Sequence, residues 1–127
     1  MVVDTSALIA IFQDEPEAGA FLDKIVTTKE VLIAAPTRLE AFVVASRRYG
    51  DERAAELAAL IKDLRLTTVA FDADLTGVAE TAYRTFGRGR HGLNYGDCFS
   101  YALAKARDLP LLFKGEDFAA TDVKRAV

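Results

Sequence analysis

Short apolar runs alternate along this chain with longer stretches of helical periodicity, the pattern of strands separated by helices. Val2-Val3 opens as a strand stub ended by Asp4, and Thr5 or Ser6 can cap a short helix that runs to Phe12. Gln13-Asp14-Glu15-Pro16 interrupts it. The spacing then predicts a helix over about Pro16 to Val26, with Ala20, Phe21, Leu22 and Ile25 turned inward. Val31 to Ala34 is continuous in apolar character, as buried parallel strands are. Pro36 suits a helix start, and Leu39, Phe42, Val43 and Ser46 share one face of the helix that Gly50 ends. Asp51 is expected to cap the next helix, whose apolar positions are Leu57, Leu60, Ile61 and Leu64.

Thr67 to Phe71 reads as a β-branched strand, followed by a helix capped by Asp72 and reaching Phe86. A basic, glycine-rich loop, Gly87-Arg88-Gly89-Arg90-His91-Gly92, leads to a helix over 96–107 capped by Asn94. Leu111-Leu112-Phe113 is a strand stopped by Lys114-Gly115, and a short strand is expected near Val123. Strands joined through helices imply right-handed crossovers and a three-layer α/β/α fold around a parallel sheet. With no repeat, linker or low-complexity segment, residues 1–127 read as a single domain.

Composition narrows the chemistry. The 127 residues are 51% apolar and 28% charged, enough to bury a core without a staple. A single cysteine, Cys98, and a single histidine, His91, exclude an internal disulfide, multi-cysteine zinc or iron–sulfur sites and two-histidine metal sites. The net charge of −3 argues against a general polyanion binder but leaves room for a local basic patch. The start, Met1-Val2-Val3-Asp4, lacks a basic leader, and no apolar run approaches the ~20 residues of a membrane span. A cytoplasmic protein without membrane association is expected.

Four acids sit where parallel α/β sheets collect ligands, at strand ends or helix starts. Asp4 follows the first strand, Glu40 interrupts an apolar helix, Asp97 occupies a helical first turn, and Asp117 follows the Leu111–Phe113 strand. Each has a structural reading of its own: Asp4 as a helix cap, Glu40 as a partner for Arg47, Asp97 as a dipole complement and Asp117 as a turn residue. Taken together, carboxylates brought to one sheet edge repel unless they share protons or hold a cation. With no histidine or cysteine cluster the ligands are all oxygen, which selects a hard ion such as Mg2+ or Mn2+ and points to phosphoryl transfer.

These residues also carry a resemblance. Val3-Asp4-Thr5-Ser6-Ala7-Leu8, the helical Glu40, Leu93-Asn94-Tyr95-Gly96-Asp97-Cys98 and Leu111-Leu112-Phe113-Lys114-Gly115-Glu116-Asp117-Phe118 resemble, in order and spacing, the four motifs of PIN-domain ribonucleases, and most closely the VapC-type toxins. The resemblance spans nearly the whole chain. It implies a Mg2+- or Mn2+-dependent endoribonuclease, the toxin of a bacterial toxin–antitoxin pair, in which metal-activated water attacks an RNA phosphodiester. Asp4 and Asp97 would be the principal metal ligands, Glu40 would ligate or orient metal and water, and Asp117 would complete the cluster. Glu116 and Asp122 compete for that fourth role. Thr5 and Ser6 match the hydroxylic pair beside the first acid, and Asn94 would brace Asp97.

An RNA substrate calls for nearby cations, and Arg84, Arg88, Arg90 and His91 are the first choice, although the same loop reads equally as a solvated turn. Arg38, Arg47 and Arg48 lie on or beside the Glu40 helix and could line the same cleft. The resemblance further implies a cognate antitoxin, expected near Phe12, Phe21 and Leu22, and a homodimer. Two other readings remain: a catalytically inactive PIN-like binding module, and an aspartyl-phosphate phosphatase or receiver-like domain. Ser6, where such a phosphatase would want a second Asp, weighs against the latter.

Overall fold

The structure, a computed structural model, describes residues 1–127. Its elements are β1 (Val2–Val3), α1 (Thr5–Phe12), α2 (Ala18–Val26), β2 (Leu32–Ala34), α3 (Ala35–Tyr49), α4 (Asp51–Asp63), β3 (Thr67–Val69), α5 (Ala73–Phe86), α6 (Tyr95–Arg107) and β4 (Leu111–Leu112). The four strands form one sheet in the order β3-β2-β1-β4, every pair parallel. The chain therefore winds outward from β1 through β2 to β3, then crosses back to place β4 on the other side of β1. The reversal falls between β1 and β4, and in such sheets ligands gather at the carboxyl ends of the strands flanking it. The tail pairs with β4 through a single bridge between Leu111 and Arg125, two residues beyond the position expected for a strand.

Alternation along the strands divides the core in two. Val3, Ile33 and Leu112 face α1 to α4, where they join Leu8, Phe21, Ile25, Leu57 and Ile61. Val2, Leu32, Ala34 and Leu111 face α5 and α6, packing with Leu75, Ala79, Tyr101 and Leu103. The three layers are those the sequence pattern predicts. No helix is long and apolar enough to cross a membrane.

Local differences have local causes. The cap of α1 is Asp4, not Thr5 or Ser6: its side chain accepts a hydrogen bond from the Ser6 amide. Gly50 caps α4, which leaves Asp51 inside the first helical turn, where an acid still favours the helix dipole. On α2 the buried positions are Ala18, Phe21 and Ile25, and Ala20 faces solvent. Phe21 is therefore core and cannot take part in a partner groove, whereas Phe12 and Leu22 are half-buried. The largest departure is on α3. Its inward stripe is Thr37, Ala41 and Ala45, while Leu39 is 62% and Phe42 44% exposed. Small residues let α3 pack closely on its neighbours, which turns the bulky apolar face outward. The strand expected over 67–71 ends at Val69, as suits a sheet edge with solvent-facing Thr67 and Thr68.

Candidate active site

Asp4, Glu40, Asp97 and Asp117 line one pocket of about 470 Å³ at the carboxyl ends of β1 and β4. Each comes from a different part of the fold. Asp4 follows β1, Glu40 projects from α3, Asp97 stands in the first turn of α6, and Asp117 lies beyond β4. Gly115, at φ 97°, makes the left-handed turn that carries the chain from β4 toward Asp117. Of the alternatives for the fourth acid, Asp122 is elsewhere: it accepts hydrogen bonds from the Tyr101 hydroxyl and from Lys105 Nζ. Glu116 is exposed and is absent from the pocket wall.

The acids are held by neighbours from distant segments. Asp4 is only 4% exposed. Its Oδ2 accepts from the Ser6 amide at 3.0 Å and the Ser6 hydroxyl at 2.6 Å, and its Oδ1 accepts from the Ser100 hydroxyl at 2.6 Å. Thr37 Oγ1 lies 3.2 Å from Ser100 Oγ; with the Ser100 proton directed at Asp4, Thr37 is the donor of that pair. The Thr5 hydroxyl donates to Glu40 Oε1. Ser6 Oγ also accepts from the Lys114 amide at 3.0 Å, tying the first acid to the end of β4. Asn94 and Asp97 form a reciprocal capping box, the Asp97 amide donating to Asn94 Oδ1 at 2.9 Å and the Asn94 amide to Asp97 Oδ2 at 3.0 Å. Asn94 thus both caps α6 and braces Asp97.

Gly96 explains how Glu40 reaches this site. A Cβ at position 96 would overlap the Glu40 carboxylate, so only glycine lets α3 bring that side chain against the start of α6. Read from the sequence alone, Ser100, Thr37 and Gly96 have no role at the site, although Gly96 stands inside the motif that contains Asp97. Their sequence signal is the i+3 spacing of Ser100 from Asp97 and the i−3 spacing of Thr37 from Glu40, which become meaningful only once the two helices meet.

Electrostatically the pocket is acidic and short of free cations. Asp4, Glu40, Asp97 and Asp117 make no ion pair; among the lining cations, Lys114 is bound to Glu15 and Glu17, which raises its pKa, and Arg48 has no ion pair but donates to the Gln13 side-chain oxygen at 2.9 Å. Burial pushes the Asp97 carboxyl up to about 7, against the Asn94 amide bond that favours its charge, and the facing Asp4, Asp117 and Glu40 push it further. An all-carboxylate donor set with no basic partner fits a hard divalent cation. As the side chains stand, no three of them form a group that could hold one ion, because Asp4, Glu40 and Asp97 are turned onto their neighbouring hydroxyls and amides.

The expected cations separate. Arg84 and Arg88 line a larger cleft next to the pocket, Arg90 and His91 project from the exposed loop outside it, and Arg38 is turned away onto Thr68 Oγ1 at 2.9 Å. Of the three arginines on or beside α3, only Arg48 reaches the acids.

A parallel sheet with acids gathered at its point of reversal matches one family over nearly the whole chain: the model described as PIN domain covers residues 1–124, and the chain belongs to the PIN-domain family. Within it, the similarity is to VapC ribonucleases. The chain is 49% identical over 129 residues to ribonuclease VapC of Mycolicibacterium smegmatis, covering 97% of each chain. It is 46% identical over 125 residues to ribonuclease VapC30 of Mycobacterium tuberculosis, covering 97% of this chain and 95% of the relative. In fold it is similar to Mycobacterium tuberculosis VapC20, described as a sarcin-ricin loop cleaving toxin, with TM-score 0.77, 21% identity and coverage of 96% and 95%. A toxin-antitoxin complex from Klebsiella pneumoniae contains a chain of similar fold, with TM-score 0.72, 20% identity and coverage of 95% and 92%.

Proposed function

We propose that this protein is a Mg2+- or Mn2+-dependent endoribonuclease acting as the toxin of a toxin–antitoxin pair. The observation that carries the reading is the convergence of Asp4, Glu40, Asp97 and Asp117, from four separate parts of the fold, on one pocket, with none of the four in an ion pair. The VapC ribonucleases to which the chain is similar support the substrate class. Membership in the PIN family also sets aside the phosphatase and receiver-like readings.

In this reading Asp4 and Asp97 are the principal metal ligands, with Glu40 and Asp117 completing the cluster. When bound, such an ion supplies Lewis acidity toward the phosphodiester and lowers the pKa of water at the site. The chain's own residues do the rest. Ser6 and Ser100 fix the Asp4 carboxylate by holding an oxygen each, and Thr5 orients Glu40. The Asn94 amide fixes Asp97 Oδ2 in the first turn of α6 and leaves Oδ1 without a hydrogen-bond partner from the chain. Arg48, the cation at the pocket wall that has no ion pair, is placed to meet a backbone phosphate. With His91 outside the pocket, proton transfer falls to the carboxylates and water.

The partner in this proposal is a cognate antitoxin. Solved toxin-antitoxin complexes share the fold, and the half-buried Phe12 and Leu22 offer apolar surface beside α1 and α2. The second proposed association is a homodimer, and the protein acts in the cytoplasm. To test the activity, purified protein is incubated with RNA in chelator and again after excess Mg2+ or Mn2+ is added. Cleavage is expected only in the second case. Equal cleavage in chelator refutes the metal-dependent mechanism.

A further inference from the structure

Next to the acidic pocket lies a second cleft of about 1080 Å³, between α5, the loop over 87–94 and the start of α6. Its wall holds a row of aromatic rings. Phe71 packs edge-on against Phe99 with centroids 4.9 Å apart, and Phe99 packs edge-on against Tyr95 at the same 4.9 Å. Tyr95 ends the row and is 81% exposed, the most exposed large apolar side chain in the protein. Tyr83, 54% exposed, lines the cleft from α5. Edge-to-face support fixes a ring's plane while leaving a face of it free for another flat ring. Arg84 and Arg88 also line the cleft, and neither is engaged in an ion pair. Asn94 lines both this cleft and the acidic pocket, so the two adjoin at that residue, and Tyr95 stands two residues before Asp97.

We propose that the cleft is a nucleotide subsite: an unpaired RNA base next to the scissile phosphate stacks on Tyr95, and Arg84 and Arg88 bind the adjoining backbone phosphates. The inference rests on the nuclease reading and narrows its substrate. A base within a duplex has both faces covered by its neighbours, so a lone ring platform takes only a base that is free of the stack. The subsite on Tyr95 therefore reads a base that stands outside any duplex. Two guanidinium groups against the single carboxylate of Glu80 leave the cleft wall net positive beside its exposed rings, which favours a nucleotide over an apolar helix.

The test is binding in chelator, where no turnover is needed, followed by anisotropy of a labelled single-stranded RNA and of the same sequence annealed as a duplex. Wild-type protein is expected to prefer the single strand. Tyr95→Ala should weaken single-strand binding about 5- to 100-fold and leave duplex binding within about twofold, while Tyr95→Phe, which keeps the ring, stays within about twofold of wild type. Circular dichroism confirms that the exposed substitution leaves the fold intact. Single-strand affinity unchanged in Tyr95→Ala overturns the subsite. So does a variant that binds RNA normally but loses a co-expressed partner protein, since the cleft is then a protein-docking surface. Failure of the nuclease reading looks different: RNA is bound through Tyr95 yet is never cut when Mg2+ or Mn2+ is supplied.

Discussion

The acidic pocket and the aromatic cleft share Asn94 and differ in almost every other respect. In the pocket, three of the four carboxylates, Asp4, Glu40 and Asp97, are held by hydroxyls or amides, Ser100 reaching Asp4 over 96 positions. In the cleft, Tyr95 is supported along its edge but largely exposed, and the Arg84 and Arg88 guanidinium groups have no ion pair. A pocket that concentrates negative charge needs a rigid frame, because mutually repelling groups would otherwise move apart. A surface that accepts a mobile polyanion needs the opposite, groups free to find it. A nuclease requires both, side by side.

Removing a charge from the pocket is expected to have the largest effect. Asp4→Asn should reduce metal-dependent RNA cleavage by about 100-fold or more, with single-strand binding in chelator retained. Gel assays of initial rate beside anisotropy separate the two properties.

The frame around Asp97 has a thermodynamic consequence. In the unfolded chain its carboxyl ionises near 3.8, and in the fold only near 7. The unfolded chain thus releases this proton first, and Asp97 progressively lowers the stability of the metal-free protein as pH rises through that interval. In chelator at pH 8, urea unfolding should find Asp97→Asn more stable than wild type by about 1–4 kcal/mol, with the difference vanishing near pH 4. A variant less stable at both pH values contradicts a destabilising buried charge at Asp97.

Gly96→Ala sharpens the same comparison. The overlap is with the far end of the Glu40 side chain, which can swing aside. Stability should change by less than about 1 kcal/mol, while cleavage falls roughly tenfold because Glu40 leaves the pocket. The smallest expected effect belongs to the cleft. Replacing Arg84 and Arg88 together with Ala should flatten the salt dependence of single-strand binding by about 1.4 in log–log slope, two phosphate contacts' worth. The same change at Arg90, outside the cleft, should leave the slope unaltered.

Much of this was legible in the sequence because it is local. The three layers follow from strands alternating with helices. The caps at Asp72 and Asn94 follow from short polar residues before helical runs, and both are observed. The acids stood out at strand ends and helix starts, and the fold gathers the four named from their motifs into one pocket. What could not be read depends on how helices meet. Leu39, Phe42 and Val43 promise an inward face by periodicity alone, yet the close approach of α3 selects the small stripe of Thr37, Ala41 and Ala45 instead. Thr37, Gly96 and Ser100 acquire their place only when α3 and α6 are brought together. Arg38 and Arg48, on the same helix, end on different sides of the protein because ten residues of helix turn about 1000°, far from a whole number of turns.

The central claim is that the gathered acids make this chain a metal-dependent ribonuclease, and it is tested most directly by comparing wild type with Asp97→Asn on one RNA in the presence of Mn2+. Wild type is expected to cleave and the variant to show no detectable cleavage, with an unfolding midpoint in chelator at pH 8 at least as high in the variant. Cleavage by Asp97→Asn at the wild-type rate would contradict that claim.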